Sequence, residues 1–311
     1  MTRTPSGSPD RTDTPHPSAS VVLLRPAPVG FEVFLLRRHG RSRFMANHHV
    51  FPGGRVDPAD RDDAIAARCV GLDRAAAGRI LGIADGAAAL GIVVAALRET
   101  YEEAGVLLAA PANQPDAPLP AGTQAALSAC RRDVQQQPGR FLQVLRAHDL
   151  VLRCDRLAYW DHWITPRIEP RRYDAHFFVA RVPAAQYAEH DRRETTAGRW
   201  WAPTEVLQAY YRRELDLAPP QLHILTDLAA RSTIEAVEQA ARGRGPIAPV
   251  LPEVRLSGGV VELLLPGDEA YPGPHAEPGR RRRARLLDGR WHLEPGGAAL
   301  SPDGAGSDPA R

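Results

Sequence analysis

The stretch between residues 85 and 106 constrains the fold most strongly, because its apolar and acidic residues separate onto opposite faces of a helix. At about 100° per residue, the apolar side chains form one stripe with i, i+3, i+4, i+7 spacing. These are Leu90, Val93, Val94, Leu97, Tyr101 and Ala104. Glu99, Glu102 and Glu103 fall on the opposite side, within an arc of about 100°. Asp85 is a suitable N-cap and Gly105 a natural stop, so the sequence predicts a helix between them.

The three glutamates of this helix, at positions i, i+3 and i+4, repel one another. Each close pair destabilises a helix by about 0.2–0.5 kcal/mol, and locally only Arg98, four residues before Glu102, offsets this. One interpretation is a solvated acidic face. The other is a metal site, because a hard divalent cation binds oxygen ligands and retains waters that can be activated. The spacing permits both.

Strand-like and helical runs alternate along the rest of the chain, which indicates a mixed α and β fold. Apolar runs at 21–26 and 31–38 flank a turn-rich segment. A third short run ends in Pro52-Gly53-Gly54, a turn whose backbone can approach another group closely because two side chains are absent. Helical stretches are expected at 60–105, 123–148, 204–214 and 221–242, and further strands at 159–165, 176–182 and 198–202.

The ends of the chain differ in composition from the middle. Residues 1–18 lack an apolar core, so we expect a disordered leader and no secretory signal. Between RARLL and RWHLE, Asp288-Gly289 is the strongest short hairpin signal in the chain. We therefore expect a main domain at 19–243, a small β appendage at 246–295 and a disordered tail at 296–311.

The composition excludes several classes of function. All 39 basic residues counted as Lys or Arg are arginines, which excludes Schiff-base chemistry and the Gly-Lys-Ser/Thr phosphate loop. Any phosphate must therefore be bound by arginine, backbone N–H groups or metal. A net charge of +2 argues against a nucleic-acid partner, and no apolar run is long enough to span a membrane. Three cysteines without CxxC spacing favour reduced thiols in the cytoplasm.

Residues 98–106, RETYEEAGV, resemble the second half of the Nudix box, R-E-U-x-E-E-x-G-U, with Thr100 in place of an aliphatic residue. The first half, G-x5-E, is matched by Gly54 and by Asp60, an aspartate where the family usually has glutamate. An insertion of about thirty residues, at about 61–90, splits the box. Four ordered blocks, at 35–38, 44–57, 96–108 and 163–178, make the chain similar to the split-box branch of peroxisomal-type coenzyme A diphosphatases.

This resemblance implies an α/β fold of the α+β type, a Nudix-like α/β/α sandwich with a mixed sheet and a helical insertion. It further implies that Mg²⁺ or Mn²⁺ is bound by Glu99, Glu102 and Glu103, helped by a backbone carbonyl near Gly54. Glu99 and Glu102 are expected to act in catalysis, and Arg98 to orient Glu102. Which carboxylate takes the proton varies within the family.

Two further segments are candidates for the site. Glu194 lies six residues before Trp200, and is either a fourth ligand or general base, or an exposed loop glutamate. Arg171, Arg172 and Tyr173 are candidate substrate-binding residues, since arginine forks onto phosphate oxygens and a phenol ring can stack on a base. Ordinary surface residues are the alternative for these three.

The resemblance implies a metal-dependent hydrolase that cleaves the diphosphate of a nucleoside diphosphate linked to another moiety. Coenzyme A or acyl-CoA is the expected substrate, giving 3',5'-ADP and 4'-phosphopantetheine. Alternatives are ADP-ribose or NADH, or a non-catalytic nucleotide-binding regulator, which the intact glutamates argue against. The partner is expected to be a small molecule. Assembly into a homodimer and the roles of residues 61–97 and of the appendage are left open.

Overall fold

The computed structural model describes residues 14–40, 45–120, 122–191, 193–273 and 283–294. The chain divides into two compact units, Met1–Val250 and Leu251–Arg311. Most of the expected leader and the whole expected tail at 296–311 lie outside the described residues. The expected leader at 1–18 extends too far, because residues 16–18 belong to the first strand and pair with residues 173–175.

The first unit contains a seven-stranded mixed sheet, a three-stranded sheet and eight α-helices among its described residues. Its strands are β1 (His16–Pro26), β2 (Phe31–Arg38), β3 (His49–Val50), β4 (Gly53–Arg55), β5 (Cys69–Val70), β6 (Ala109–Pro111), β7 (Leu150–Arg153), β8 (Ala158–Ile164), β9 (Tyr173–Arg181) and β10 (Thr195–Trp201). Its helices are α1 (Asp63–Ala66), α2 (Arg74–Leu81), α3 (Gly86–Ala104), α4 (Thr123–Gln136), α5 (Arg140–Ala147), α6 (Pro203–Tyr211), α7 (Pro219–Ala229) and α8 (Ile234–Arg242).

The large sheet has the order β10-β2-β1-β9-β8, with β3 pairing to β2 and β4 pairing to β1. Strand β1 runs parallel to β9 and antiparallel to β2 and β4. Residues 21–24 of β1 are fully buried, as expected for a strand covered on both faces. Val21 and Leu23 belong to the core around α3, and α8 contacts β1, β8 and β9. The predicted α/β/α sandwich with a mixed sheet is confirmed.

The predicted helix with its two ends is confirmed as α3. The Asp85 carboxylate accepts hydrogen bonds from the N–H groups of Ala87 and Ala88, and Gly105 ends the helix with a φ of 69°. The preceding stretch is not helical throughout, because Gly71 and Gly82 adopt positive φ angles and interrupt it. Strand β5 lies in this stretch and pairs with β7. Among the described residues, no single helix is long and apolar enough to cross a membrane. Helices α2 and α3 reach that length and composition only when taken together, and the pair is bent by 84°.

The second unit contains an antiparallel sheet in the order β11 (Glu253–Ser257), β12 (Val260–Leu264), β13 (Arg283–Leu287) and β14 (Arg290–Glu294). Leu287 pairs with Arg290, so the hairpin predicted at Asp288-Gly289 is confirmed. Asp268 is fully buried and accepts two hydrogen bonds from Arg283, of 2.9 and 3.0 Å.

Candidate active site

The Gly53-Gly54 turn lies directly against the acidic side of α3. The N–H of Gly53 donates a hydrogen bond to Glu103 Oε2 over 2.9 Å. A Cβ atom on Gly54 would lie only 2.5 Å from Glu99 Oε1. A Cβ atom on Gly53 would instead overlap the Ala19 carbonyl of β1, so the strand on one side and the Glu99 carboxylate on the other leave no room for side chains at this turn.

Arg98 lies at the centre of a buried network of ion pairs. Its side chain is 2% exposed, and its Nη1 donates to Glu99 over 2.9 Å and to Glu102 over 2.7 Å. Nε and Nη2 donate to the two oxygens of Asp60, and Nη2 also donates to the carbonyl of Arg55. All five N–H groups of the guanidinium are thus used. These are the contacts that the expected orienting role of Arg98 requires.

Asp60, which ends the first half of the split box, is buried. It lies in a short 3-10 helix, Pro58–Arg61, whose N-cap is Asp57. The N–H of Asp57 donates to Asp60 Oδ2 over 2.8 Å, and Asp57 Oδ1 accepts from the N–H of Ala59. This capping box fixes the Asp60 carboxylate against Arg98. The first half of the split box therefore supports the second half through one aspartate.

The three glutamates are largely buried, and the charges of Glu102 and Glu103 both interact with that of Glu99. Burial and the neighbouring Glu102 charge raise the pKa of Glu99 to about 8, although Arg98 opposes the shift. Burial and the Glu99 charge raise the pKa of Glu103 well above its ordinary value, and burial also raises that of Glu102. One arginine does not neutralise these carboxylates. The site therefore favours an added cation, and its oxygen donors fit a hard divalent ion.

Glu194 lies on an exposed loop between β9 and β10. Asp191 folds this loop by accepting hydrogen bonds from the N–H groups of residues 193, 194 and 195 and from the Thr195 hydroxyl. The negative charge of Glu194 contributes to the raised pKa values of Glu102 and Glu103. Glu194 is thus within electrostatic reach of the acidic cluster, and its role as ligand or base stays a prediction.

Two residues of α4 that the sequence did not indicate connect this loop to α3. Arg131 Nε and Gln135 Nε2 both donate to the Glu102 carbonyl over 2.7 Å. Arg131 also donates to the Glu189 carbonyl, and Gln135 donates to Asp191. The Glu102 carbonyl is in the last turn of α3, where carbonyls lack partners within the helix. Arg131 and Gln135 lie 29 and 33 positions after Glu102 in the sequence, so no spacing rule could have predicted these contacts.

Arg38, at the end of β2, is a second cation near the site. Its positive charge lowers the pKa of Glu103. Its Nε atom is buried and has no hydrogen-bond partner among the described residues. The sequence indicated Arg38 only as part of the block at 35–38. A partly exposed arginine whose charge reaches Glu103 is well suited to bind a phosphate oxygen.

The predicted substrate-binding segment lies at the same end of the sheet as the Gly-Gly turn. Tyr173 pairs with His16 of β1, and Arg55 of β4 pairs with Ser18 of the same strand. Arg172 donates to the Thr165 carbonyl over 3.0 Å, and Arg171 is exposed. The segment is therefore one strand away from β4. Substrate binding by Arg171, Arg172 and Tyr173 stays a prediction.

Comparison with known proteins gives matches consistent with this site. The family model described as the NUDT19 Nudix domain matches residues 82–228. A chicken (Gallus gallus) protein named acyl-coenzyme A diphosphatase NUDT19 is 32% identical, over 79% of this chain and 75% of the relative. The human (Homo sapiens) protein of that name is also 32% identical, over 82% of this chain and 76% of the relative. The crystal structure of a Nudix hydrolase from Alicyclobacillus acidocaldarius, 24% identical, covers 73% of this chain and 96% of its own with a TM-score of 0.55, which supports the fold.

Proposed function

This chain belongs to the Nudix hydrolase family and is a Nudix diphosphatase, and from that premise we propose that its substrate is coenzyme A or an acyl-CoA. The products would be 3',5'-ADP and 4'-phosphopantetheine or its acylated form. The observation that carries the proposal is the buried group of Glu99, Glu102 and Glu103 against the Gly53-Gly54 turn. The names of the relatives at 32% identity support the choice of substrate.

We propose Mg²⁺ or Mn²⁺ as the metal, with Glu99, Glu102, Glu103 and the backbone near Gly54 as its ligands. The donor set fits, because carboxylate and carbonyl oxygens are the ligands that these ions prefer. When bound, such an ion offsets the charge of the diphosphate and lowers the pKa of a water for attack on phosphorus.

The residues of the chain around this group have distinct proposed roles. Arg98 holds Glu99 and Glu102 in fixed orientations through hydrogen bonds of 2.9 and 2.7 Å. Glu194 would be the base that takes a proton from the attacking water, a role supported by its exposure and by the effect of its charge on Glu102 and Glu103. We assign phosphate binding to Arg38 and Arg171, because a chain without lysine must bind phosphate through arginine, backbone N–H groups or metal.

We further propose a cytoplasmic enzyme that acts on a small nucleoside diphosphate derivative without a nucleic-acid partner. ADP-ribose and NADH are the alternative substrates, because they share the diphosphate that the site would bind. A non-catalytic regulator is not favoured, because Glu99, Glu102 and Glu103 are all retained. Assembly into a homodimer stays open.

A product assay tests the proposal. The purified chain is incubated with CoA, an acyl-CoA, ADP-ribose and NADH, each with Mg²⁺ or Mn²⁺, and products are separated by liquid chromatography and mass spectrometry. Repeating the assay in ¹⁸O-labelled water shows which phosphorus atom is attacked. We expect the CoA species to be cleaved fastest. Rapid cleavage of ADP-ribose with no turnover of any CoA species would refute the substrate assignment.

Two variants separate the site from the fold. Glu103→Gln should lower turnover by more than about 100-fold, a larger loss than is typical for residues that only orient metal ligands. Glu253→Gln, a matched change at an exposed glutamate of the second unit, should leave turnover unchanged. If Glu103→Gln retains full activity, the assignment of the acidic cluster as the active site is wrong.

A further inference from the structure

Strands β8 and β9 carry a second cluster of ligating side chains, separate from the glutamates of α3. It consists of His162, Asp174 and His176, each of which offers one ligand atom within 4.8 Å of the others. His162 pairs directly with His176 across the two strands. Asp174 lies two residues before His176, so its side chain is on the same face of the sheet. The register of two neighbouring strands thus brings these three side chains together.

His176 has the features of a metal ligand that is held in position by a second residue. It is fully buried, and its Nε2 atom has no hydrogen-bond partner among the described residues. Nε2 lies 3.7 Å from Asp174 Oδ1. On the other side of the ring, Nδ1 lies 2.8 Å from the Tyr159 hydroxyl. When Nδ1 donates its proton to that hydroxyl, the lone pair of Nε2 faces Asp174, as metal-binding histidines require.

His162 and Asp174 complete the set. His162 Nε2 lies 2.5 Å from Asp174 Oδ1, and the His162 and His176 rings stack with centroids 4.1 Å apart. The Asp174 side chain is 32% exposed, which gives the cluster access to solvent. In a tetrahedral zinc site, ligand atoms lie about 3.3 Å apart, since each is about 2.0–2.2 Å from the ion. The two separations of 2.5 and 3.7 Å from Asp174 Oδ1 lie on either side of this distance.

We propose that His162, Asp174 and His176 form a binding site for a Zn²⁺-type transition-metal ion with one open position towards solvent. Two imidazoles and a carboxylate suit Zn²⁺, whereas Mg²⁺ prefers oxygen ligands alone. Binding replaces the hydrogen bond between His162 and Asp174. The proton of the neutral imidazole moves from Nε2 to Nδ1 by exchange with solvent, which frees the Nε2 lone pair for the ion. The ion links β8 to β9 next to the segment that begins at Arg171. This site is independent of the proposed reaction and takes a different class of metal from the acidic cluster.

Metal analysis of the untagged full-length chain tests the proposal. The protein is stripped with a chelator, dialysed against zinc in the presence of excess Mg²⁺, and its zinc content is measured by mass spectrometry. We expect one zinc ion per chain, and Zn X-ray absorption should show two imidazole ligands. Cobalt should give visible absorption bands at the same stoichiometry. A wild-type chain without retained zinc would overturn the proposal.

Matched variants locate the ion. His176→Asn and Asp174→Asn should lose the zinc, whereas Glu103→Gln and His223→Asn, a change at another buried histidine, should retain it. Circular dichroism checks the fold of each variant. If His176→Asn does not fold, Asp174→Asn decides, because its side chain is partly exposed and leaves no large cavity. Zinc that is lost only from Glu103→Gln would belong to the acidic cluster and would contradict the proposal.

Discussion

Replacing Asp60 by asparagine tests the buried network around Arg98. Asp60 Oδ1 accepts from Arg98 Nε over 2.8 Å, and Oδ2 accepts from Arg98 Nη2 over 3.0 Å and from the Asp57 N–H over 2.8 Å. An asparagine of the same shape offers only one acceptor oxygen. Its amide nitrogen would face N–H groups, and Arg98 would lose the aspartate that balances its charge.

The expected loss of stability follows from this burial. Both side chains are at most 2% exposed, and removing one partner of such an ion pair costs about 3–5 kcal/mol. A domain is stable by about 5–15 kcal/mol, so the variant should still fold. For a domain of this size the melting temperature should fall by about 6–20 °C. The affinity for Mn²⁺ should fall about 10–100-fold, because Arg98 then binds Glu99 and Glu102 more strongly.

Urea unfolding gives the change in free energy, and calorimetric titration gives the affinity for Mn²⁺. Asp62→Asn is the matched control, because Asp62 is exposed and its side chain caps neither adjoining helix. The control should change the free energy of unfolding by less than about 0.5 kcal/mol. If the free energy of unfolding of Asp60→Asn is also within about 0.5 kcal/mol of the wild-type value, the network does not stabilise the fold.

Three further outcomes are expected. Because the folded-state pKa of Glu99 is raised from 4.5 to about 8, the metal-free protein should lose stability as pH rises through that range. The urea concentration at the unfolding midpoint, measured in the presence of a chelator, should fall accordingly. The prediction is wrong if the midpoint of a Glu99→Gln variant falls with pH as steeply as that of the wild type. Arg131→Ala should lower kcat about tenfold with little change in KM, because the Glu102 carbonyl loses the hydrogen bond from Arg131. If kcat and the pH–rate profile are both unchanged, Arg131 has a purely structural role. Arg38→Ala should raise KM about 10–100-fold for CoA and ADP-ribose alike, because both contain the diphosphate. Unequal increases in KM would mean that Arg38 contacts a part of the substrate other than the diphosphate.

The parts of the fold that the sequence predicts are those encoded by near neighbours. Helix α3 was predictable because Asp85, Gly105 and the apolar stripe act within a few turns of one another. The contact of Arg98 with Glu102 follows from i, i+4 spacing. The hairpin at Asp288-Gly289 is likewise a property of a few consecutive residues.

Contacts between distant segments were not predictable from spacing. Asp60 lies 38 residues before its partner Arg98 in the sequence, and its burial depends on how its turn packs against α3. The histidine cluster requires the register of β8 against β9, and that register shifts between Tyr159 and Asp161. A shift of one residue would move His162 to the other face of the sheet. Tertiary packing, which no periodicity encodes, therefore decides both features.

The absence of lysine also acquires a structural meaning at the site. Arg98 donates to Asp60, Glu99, Glu102 and the carbonyl of Arg55 from one rigid plane. A lysine carries only three N–H donors on one flexible nitrogen, so it could not satisfy these five hydrogen bonds together. Because the orientation of two glutamates depends on that planar fork, an arginine is required here whatever the composition of the rest of the chain.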